Sequence, residues 1–185
     1  MSLNAMLFEG IHVFAGVSPV VDMVSVFMAR YFPVVIAVFV LFFIFRRNSL
    51  KEKLFVLCFI FLSALISRGI LAAVVKFFYY HPRPFETFNF TPLVYSFGNS
   101  FPSGHASILF ALAFAVWFFN KKWGIWLSAG ALLNGVGRIF VGVHFPADII
   151  GGMFVALAAV FIARLLIYRF YLFPRSTESS PQKSV

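Results

Sequence analysis

Long apolar runs separated by short polar breaks dominate this chain, and their lengths point to its environment. A helix needs about 20 mostly apolar residues to cross a bilayer. Five runs come near that length, at roughly 23–45, 54–78, 103–119, 123–142 and 147–170. Ahead of them Leu3, Leu7, Ile11 and Phe14 recur at helical spacing, until Gly16, Ser18 and Pro19 break the pattern. That stretch reads as a short amphipathic helix lying in the membrane interface. Pro33 is a candidate break in the first run, because proline removes a helix hydrogen bond. The pattern predicts an all-α fold, a polytopic membrane bundle of five or six helices. Residues 1–174 are expected to form one integral membrane domain, with 175–185 as a polar, disordered cytoplasmic tail.

Composition strengthens this picture. The 185 residues are 62% hydrophobic and 11% charged, against roughly 25% charged in soluble domains. Mean hydropathy is +0.95. The 28 phenylalanines suit helix interfaces and the headgroup level. Cys58 lies within an apolar run and has no second cysteine to pair with. The N-terminus lacks a basic segment and a small-residue cleavage site, so no removable signal peptide is expected.

The formal charge of +9 raises the question of nucleic acid, but no basic stripe lies on a soluble segment. Basic residues in short loops instead orient a membrane protein. Arg46, Arg47, Lys51 and Lys53 follow the first run, Lys121 and Lys122 the third, and Arg164, Arg169, Arg175 and Lys183 the fifth. If the spans alternate, all of these share one side, which is then cytoplasmic. Arg30, Lys76, Arg83 and Arg138 fall on the other side, and the last three need another explanation.

Those three belong to patches that converge on the outer face. Lys76-FFYYHP-Arg83-Pro84 ends the second run, Pro102-Ser103-Gly104-His105 opens the third, and Gly137-Arg138-IFVGV-His144-FPA-Asp148 spans the turn between the fourth and fifth. A cation near hydrocarbon wants an anion, and the outer loops offer few carboxylates. A phosphate would satisfy all three, through bidentate arginines and a lysine point charge. Ser103 can cap the helix that follows it, and the free N–H groups of that helix start also bind phosphate. Gly104 lets an anion approach the backbone. Asp148 either caps the fifth helix or orients one nitrogen of His144, leaving the other as a nucleophile. His105 is the candidate general acid.

In order and on one face, these residues resemble the type-2 phosphatidic acid phosphatase superfamily, whose soluble relatives include vanadium haloperoxidases. The family pattern is Lys-x6-Arg-Pro, then Pro-Ser-Gly-His, then Ser-Arg-x5-His-x3-Asp. The resemblance implies a phosphohistidine mechanism: His144 attacks phosphorus with Asp148 behind it, and His105 protonates the leaving group. Lys76, Arg83, Ser103, Gly104 and Arg138 hold the phosphoryl oxygens, with no metal and no cofactor. One departure stands out: Gly137 occupies the place of the family serine. His81, beside Arg83, is either an interfacial loop residue or a substrate contact.

The compact size, the HPRPF stretch and the LFEGIH beginning look most like the bacitracin-resistance-type undecaprenyl-diphosphate phosphatases. That likeness implies a polyprenyl diphosphate substrate, a bacterial inner membrane and a site on its periplasmic side. Phosphatidylglycerophosphate, phosphatidate and lipid A 1-phosphate are the nearest alternatives. No nucleic acid or protein partner is expected, only membrane lipids and the lipid phosphate. Phe85, Phe88, Phe90, Tyr95, Phe97 and Phe101 could line a lipid entry or form an aromatic belt. A transporter is the competing class, with Arg68 inside the second run as its polar candidate. Arg68 is otherwise expected to pair within the bundle or reach a polar interior. A vanadate-dependent oxidase would share the anion cage, and a lipid-embedded site argues against it.

Overall fold

The computed structural model describes residues 2–172, with side chains through residue 167. Its elements are α1 Leu3–His12, α2 Pro19–Arg30, α3 Phe32–Phe45, α4 Leu50–Ala64, a π-helical segment Leu65–Leu71, α5 Ala72–Phe78, a single turn α6 Pro84–Thr87, α7 Gly104–Phe119, α8 Lys121–Phe140 and α9 Pro146–Leu172. No strand occurs among the described residues.

Local chemistry sets the helix starts. Prolines open α2, α6 and α9, where a missing N–H costs nothing. The side chains of Ser2, Ser49, Ser103 and Asn120 accept hydrogen bonds from the first turns of α1, α4, α7 and α8. Pro33, in the first turn of α3, coincides with the expected break. The first run is thereby divided into α2 and α3, bent by 48°.

Each of the five apolar runs corresponds to a helical segment. By length and composition two segments, Leu50–Phe78 and Pro146–Ile167, suffice to cross a membrane, or three if the bent α2–α3 pair forms one span. Gly104–Phe119 is apolar but shorter. Large apolar side chains point outward along these helices, among them Phe42, Phe61, Phe154 and Leu165. Such surface is stable only against lipid or a partner. Inside, α7 packs against α4, α8 and α9. Ala106, Ala111, Ala113, Ala115, Ala156, Ala159 and Ala163 are buried there, and small residues let membrane helices approach closely.

The N-terminal helix forms as Leu3–His12, with its apolar stripe facing outward, as an interfacial helix requires. Leu3, Leu7 and Phe14 are exposed, whereas Phe8 is buried. In a lipid setting the apolar stripe faces outward, and the residues that touch protein are Asn4, Phe8 and His12. Asn4 Oδ1 accepts from the Ala147 N–H at 3.0 Å, and His12 Nδ1 lies 2.7 Å from the Phe140 carbonyl. Phe8 stacks among His12, Phe88 and Phe90 and meets Phe145 edge-on. The helix therefore braces the turn between α8 and α9.

Basic residues mark one end of the bundle. Arg46, Arg47, Lys51 and Lys53 lie at the α3–α4 turn, and Lys121 and Lys122 at the α7–α8 turn. Arg47 pairs with Glu52 at 3.3 Å and lies over the Phe43 ring. The side chain of Arg169, and the tail at 175–185 with Arg175 and Lys183, lie outside the described residues. Lys76, Arg83, Arg138 and His144 lie at the opposite helix ends.

Candidate active site

Four chain segments supply this site: the end of α5, the loop at 79–102, the start of α7, and the α8–α9 turn. Gly142 makes that turn sharp, with φ of +88°. Only glycine adopts such a conformation freely. A Cβ there would also lie 2.7 Å from Phe90. The turn carries His144 into the interior, where it is 2% exposed.

His144 is held on both sides. Its Nδ1 lies 3.2 Å from Asp148 Oδ2, which assigns the ring proton to Nδ1 and leaves Nε2 unprotonated, an acceptor facing Arg83. Nε2 lies 3.5 Å from Arg83 Nη1. Burial lowers the pKa of His144 to about 3, with the Asp148 hydrogen bond opposing and the charges of Arg138 and Arg83 reinforcing. The ring is therefore neutral at physiological pH.

Asp148 is fully buried in the first turn of α9. Its Oδ2 also accepts from the Phe145 N–H at 2.8 Å and from the Ser100 hydroxyl. Its backbone carbonyl accepts from the Ser103 N–H at 2.9 Å, which ties the start of α7 to the start of α9. Asp148 thus does more than cap its helix. Its other oxygen, Oδ1, has no hydrogen-bond partner among the described residues and lies 3.8 Å from His81 Nδ1, which is likewise unpartnered. His81 therefore sits against the His144–Asp148 pair rather than only in the interface.

The cations are fixed mainly by backbone carbonyls. Arg83 donates from Nε to Gly98 O at 2.9 Å, from Nη1 to Val143 O at 2.8 Å and from Nη2 to Phe97 O at 3.2 Å. Burial lowers its pKa, with Asp148 and Glu86 opposing; an arginine stays charged regardless. Lys76 donates to the carbonyl of Asn99. Arg138 is 5% exposed and donates from Nη1 to Ala29 O at 3.3 Å, but its buried Nε has no partner among the described residues. A buried, unpaired guanidinium N–H is costly, and a bound anion would satisfy it.

At the start of α7, Ser103 Oγ accepts from the Ala106 N–H at 3.4 Å. The first N–H groups of the helix, at Gly104 and His105, remain available for an anion. His105 is half-buried and feels the charges of Arg138, Arg68 and Arg83. All eight residues singled out in the sequence therefore gather at one helix-end face.

Two residues were not anticipated. Ser100, fully buried, lies between the pair: its Oγ is 3.3 Å from His144 Nδ1 and donates to Asp148. Asn99 knits the loop to α5, donating to Lys76 O and Tyr79 O and accepting from the His81 N–H. Both lie just ahead of the Pro-Ser-Gly-His stretch, separated from it by Phe101, but no spacing rule marks a serine there as a carboxylate partner. The loop aromatics divide. Phe90 packs against Phe8 and His12, Phe88 stacks on Phe8 while remaining partly exposed, and Tyr95 and Phe97 are exposed.

The departure at Gly137 has a packing reason. A Cβ there would lie 3.0 Å from Met28 Cβ, 3.1 Å from Ala29 N and 3.2 Å from Ser25 O. Glycine lets α2 approach α8 closely enough for Ala29 O to receive Arg138. Asn134 Nδ2 donates to Met28 O at 2.7 Å in the same contact.

Among the described residues, no three His, Cys, Asp or Glu side chains gather to hold a metal ion. The donors in this site are cations, imidazoles and helix-start N–H groups, around one buried carboxylate. Fold and site together define an integral membrane protein with cations gathered around a buried, neutral histidine.

A family model described as the PAP2 superfamily matches residues 57–172. The chain belongs to that superfamily and is a membrane lipid phosphatase. It is 29% identical to undecaprenyl-diphosphatase BcrC of Bacillus subtilis over 170 residues, which cover 91% of this chain and 84% of the relative. It is 32% identical to a lipid A 4'-phosphatase of Porphyromonas gingivalis over 158 residues, covering 80% of this chain and 64% of the relative. Its fold is similar to the crystal structure of Aquifex aeolicus LpxE, with a TM-score of 0.72 and 27% identity over 89% of this chain and 96% of that one. A transmembrane phosphatidylglycerolphosphate phosphatase from Bacillus subtilis shares the fold at a TM-score of 0.63 and 20% identity, over 92% of this chain and 87% of that one.

Proposed function

We propose that this phosphatase removes the terminal phosphate of undecaprenyl diphosphate at the outer face of a bacterial inner membrane, by way of a phosphohistidine. The observation that carries the mechanism is the Nδ1 contact of His144 with Asp148, which leaves Nε2 unprotonated inside a cage of cations. Nε2 attacks the terminal phosphorus, and the bond from phosphorus to the bridging oxygen breaks. His105 protonates that oxygen, so the lipid monophosphate leaves. Water, deprotonated by His105, then attacks phosphorus and releases inorganic phosphate from His144. Lys76, Arg83, Arg138, Ser103 and the Gly104 N–H hold the phosphoryl oxygens and stabilise their charge in the transition state. No step in this mechanism calls on a metal.

The resemblance to BcrC over nearly the whole chain supports the substrate. The basic residues at the opposite helix ends support an outward-facing site. Similarity to LpxE and to a lipid A phosphatase favours a second reading, another lipid phosphate. The test is phosphate release by the purified protein in the presence of EDTA. Undecaprenyl diphosphate, phosphatidylglycerophosphate, phosphatidate and lipid A are compared side by side. We expect undecaprenyl diphosphate to give the highest kcat/KM, vanadate to inhibit, and His144→Ala to abolish turnover. Loss of activity in EDTA, or full activity in His144→Ala, would overturn the mechanism. A higher kcat/KM on another lipid would overturn the substrate.

A further inference from the structure

Arg68 stands beside the cage, outside the three motifs. It occupies the middle of the π-helical segment Leu65–Leu71, and π segments often mark functional sites. The neighbouring Ser67 donates to Ser107 O at 2.8 Å, which holds this segment against α7. Arg68 consequently lies over the start of α7. A Cβ on Gly104 would be 2.5 Å from its Nε and 3.0 Å from its Cζ. Its charge acts on both Lys76 and His105.

Arg68 makes no hydrogen bond or ion pair with any described residue. Of the two expectations for it, pairing within the bundle does not occur, and its guanidinium instead reaches the polar start of α7. An unpaired guanidinium on an apolar bundle calls for an anion, and the proposed function already assigns the three cage cations to the transferred phosphoryl group. Below Arg68 a groove of about 510 Å³ descends between α3, α4 and α7. Val40, Ile44, Leu57, Ile60 and Leu112 help line it, and Arg68 is its only charged wall among the described residues.

We propose that Arg68 binds the phosphate that stays on the lipid, so that the site takes a diphosphate ester whose hydrocarbon chain lies in this groove. The inference rests on the reading of the site as a lipid phosphatase. Charge complementarity supports it: a diphosphate adds negative charge on the lipid side of the scissile bond, where Arg68 supplies the matching cation. Binding there also stabilises the charge that the departing monophosphate gains. A monophosphate lipid has no group to reach Arg68.

The experiment compares wild type, Arg68→Gln and Arg68→Lys on matched lipids in detergent micelles. One pair is geranylgeranyl diphosphate and its monophosphate; the other is diacylglycerol diphosphate and phosphatidate. Arg68→Gln should lower the ratio of diphosphate to monophosphate kcat/KM at least about tenfold, the scale of one charge-assisted hydrogen bond. Arg68→Lys should fall between. An unchanged ratio, or an equal loss on both members of each pair, overturns the inference. If the ratio is unchanged while wild type still favours the polyprenyl diphosphate, the proposed function survives without it. If the ratio falls but wild type favours diacylglycerol diphosphate, Arg68 keeps its role and the polyprenyl reading fails. Wild type that cleaves no diphosphate overturns both. Leu57→Trp, which narrows the groove, should lower kcat/KM more for undecaprenyl than for farnesyl diphosphate; equal effects would remove the groove as the path of the chain.

Discussion

Replacing Gly137 by serine would restore the family residue, and the structure argues that the change is harmful. The new Cβ would sit 3.0 Å from Met28 Cβ, 3.1 Å from Ala29 N and 3.2 Å from Ser25 O. Two of those three atoms are backbone, so relief requires α2 to move as a unit. Overpacking of this kind costs about 1–3 kcal/mol. Higher helix propensity for serine than for glycine returns roughly 0.5 kcal/mol. A net loss of about 1.5 kcal/mol corresponds to a fall in Tm of roughly 3–6 °C for a chain of this size. The same shift draws Ala29 O away from Arg138 Nη1, now 3.3 Å apart. Loss of one hydrogen bond that positions Arg138 should reduce kcat/KM roughly two- to tenfold. The assay is thermal unfolding in detergent alongside phosphate release. Gly130→Ala serves as a control in the same helix, because a Cβ there meets only side-chain atoms, at 3.4 Å and beyond. That variant should gain stability from helix propensity alone. A Gly137→Ser protein with raised Tm and undiminished activity would refute the packing argument.

Two further expectations follow from the His144–Asp148 pair. Ser100→Ala removes one hydrogen bond to the buried carboxylate while the Phe145 N–H and His144 remain. Its kcat/KM should fall roughly ten- to hundredfold, with the fold intact, and a wild-type rate would discard Ser100 as a positioning residue. The depressed pKa of His144, about 3 against 6.5, means that the nucleophile stays unprotonated in mild acid. After correction for substrate ionisation, the rate profile should lack an acid limb near 6.5, and such a limb lost in no other variant would contradict the neutral ring. The same shift fixes the sign for stability. Below pH 6.5 the unfolded chain binds a proton that the folded chain refuses, so the contribution is complete above 6.5 and declines from there toward 3.

The helices were legible because each apolar run has one period and one length, and lipid imposes both. The eight motif residues were legible because Lys76, Arg83 and Arg138 lie where an unpaired charge is costly. Other features depend on contacts between distant segments. Ser100 becomes a partner of Asp148 only when the loop at 79–102 folds over the start of α9. The π segment reads in sequence as ordinary helix, since Leu65–Leu71 carries no proline and its single Gly69 is common in membrane helices. The apolar stripe of α1 was legible as an interfacial face, but the inward contacts of Phe8 and His12 with the α8–α9 turn depend on distant segments. Gly137 looked like a missing hydroxyl, and only the proximity of α2 reveals it as a contact.

The arrangement of charge also bears on the order of events in the proposed mechanism. Without substrate, Arg83 and Arg138 act together with burial to keep His144 neutral, so the nucleophile needs no base to free its lone pair. A phosphate entering the cage cancels much of that positive field. An imidazole nearby then holds a proton more readily than before, which suits a general acid in the substrate complex. In the proposed mechanism the same cations thus keep His144 unprotonated before the phosphate enters and permit a proton at the leaving oxygen afterwards. Tethering separates the two histidines: His144 is held through Nδ1 by Asp148, whereas His105 forms no side-chain hydrogen bond with any described residue. A tethered ring is suited to attack along a fixed line, and an untethered one to exchange its proton with the leaving lipid and then with water.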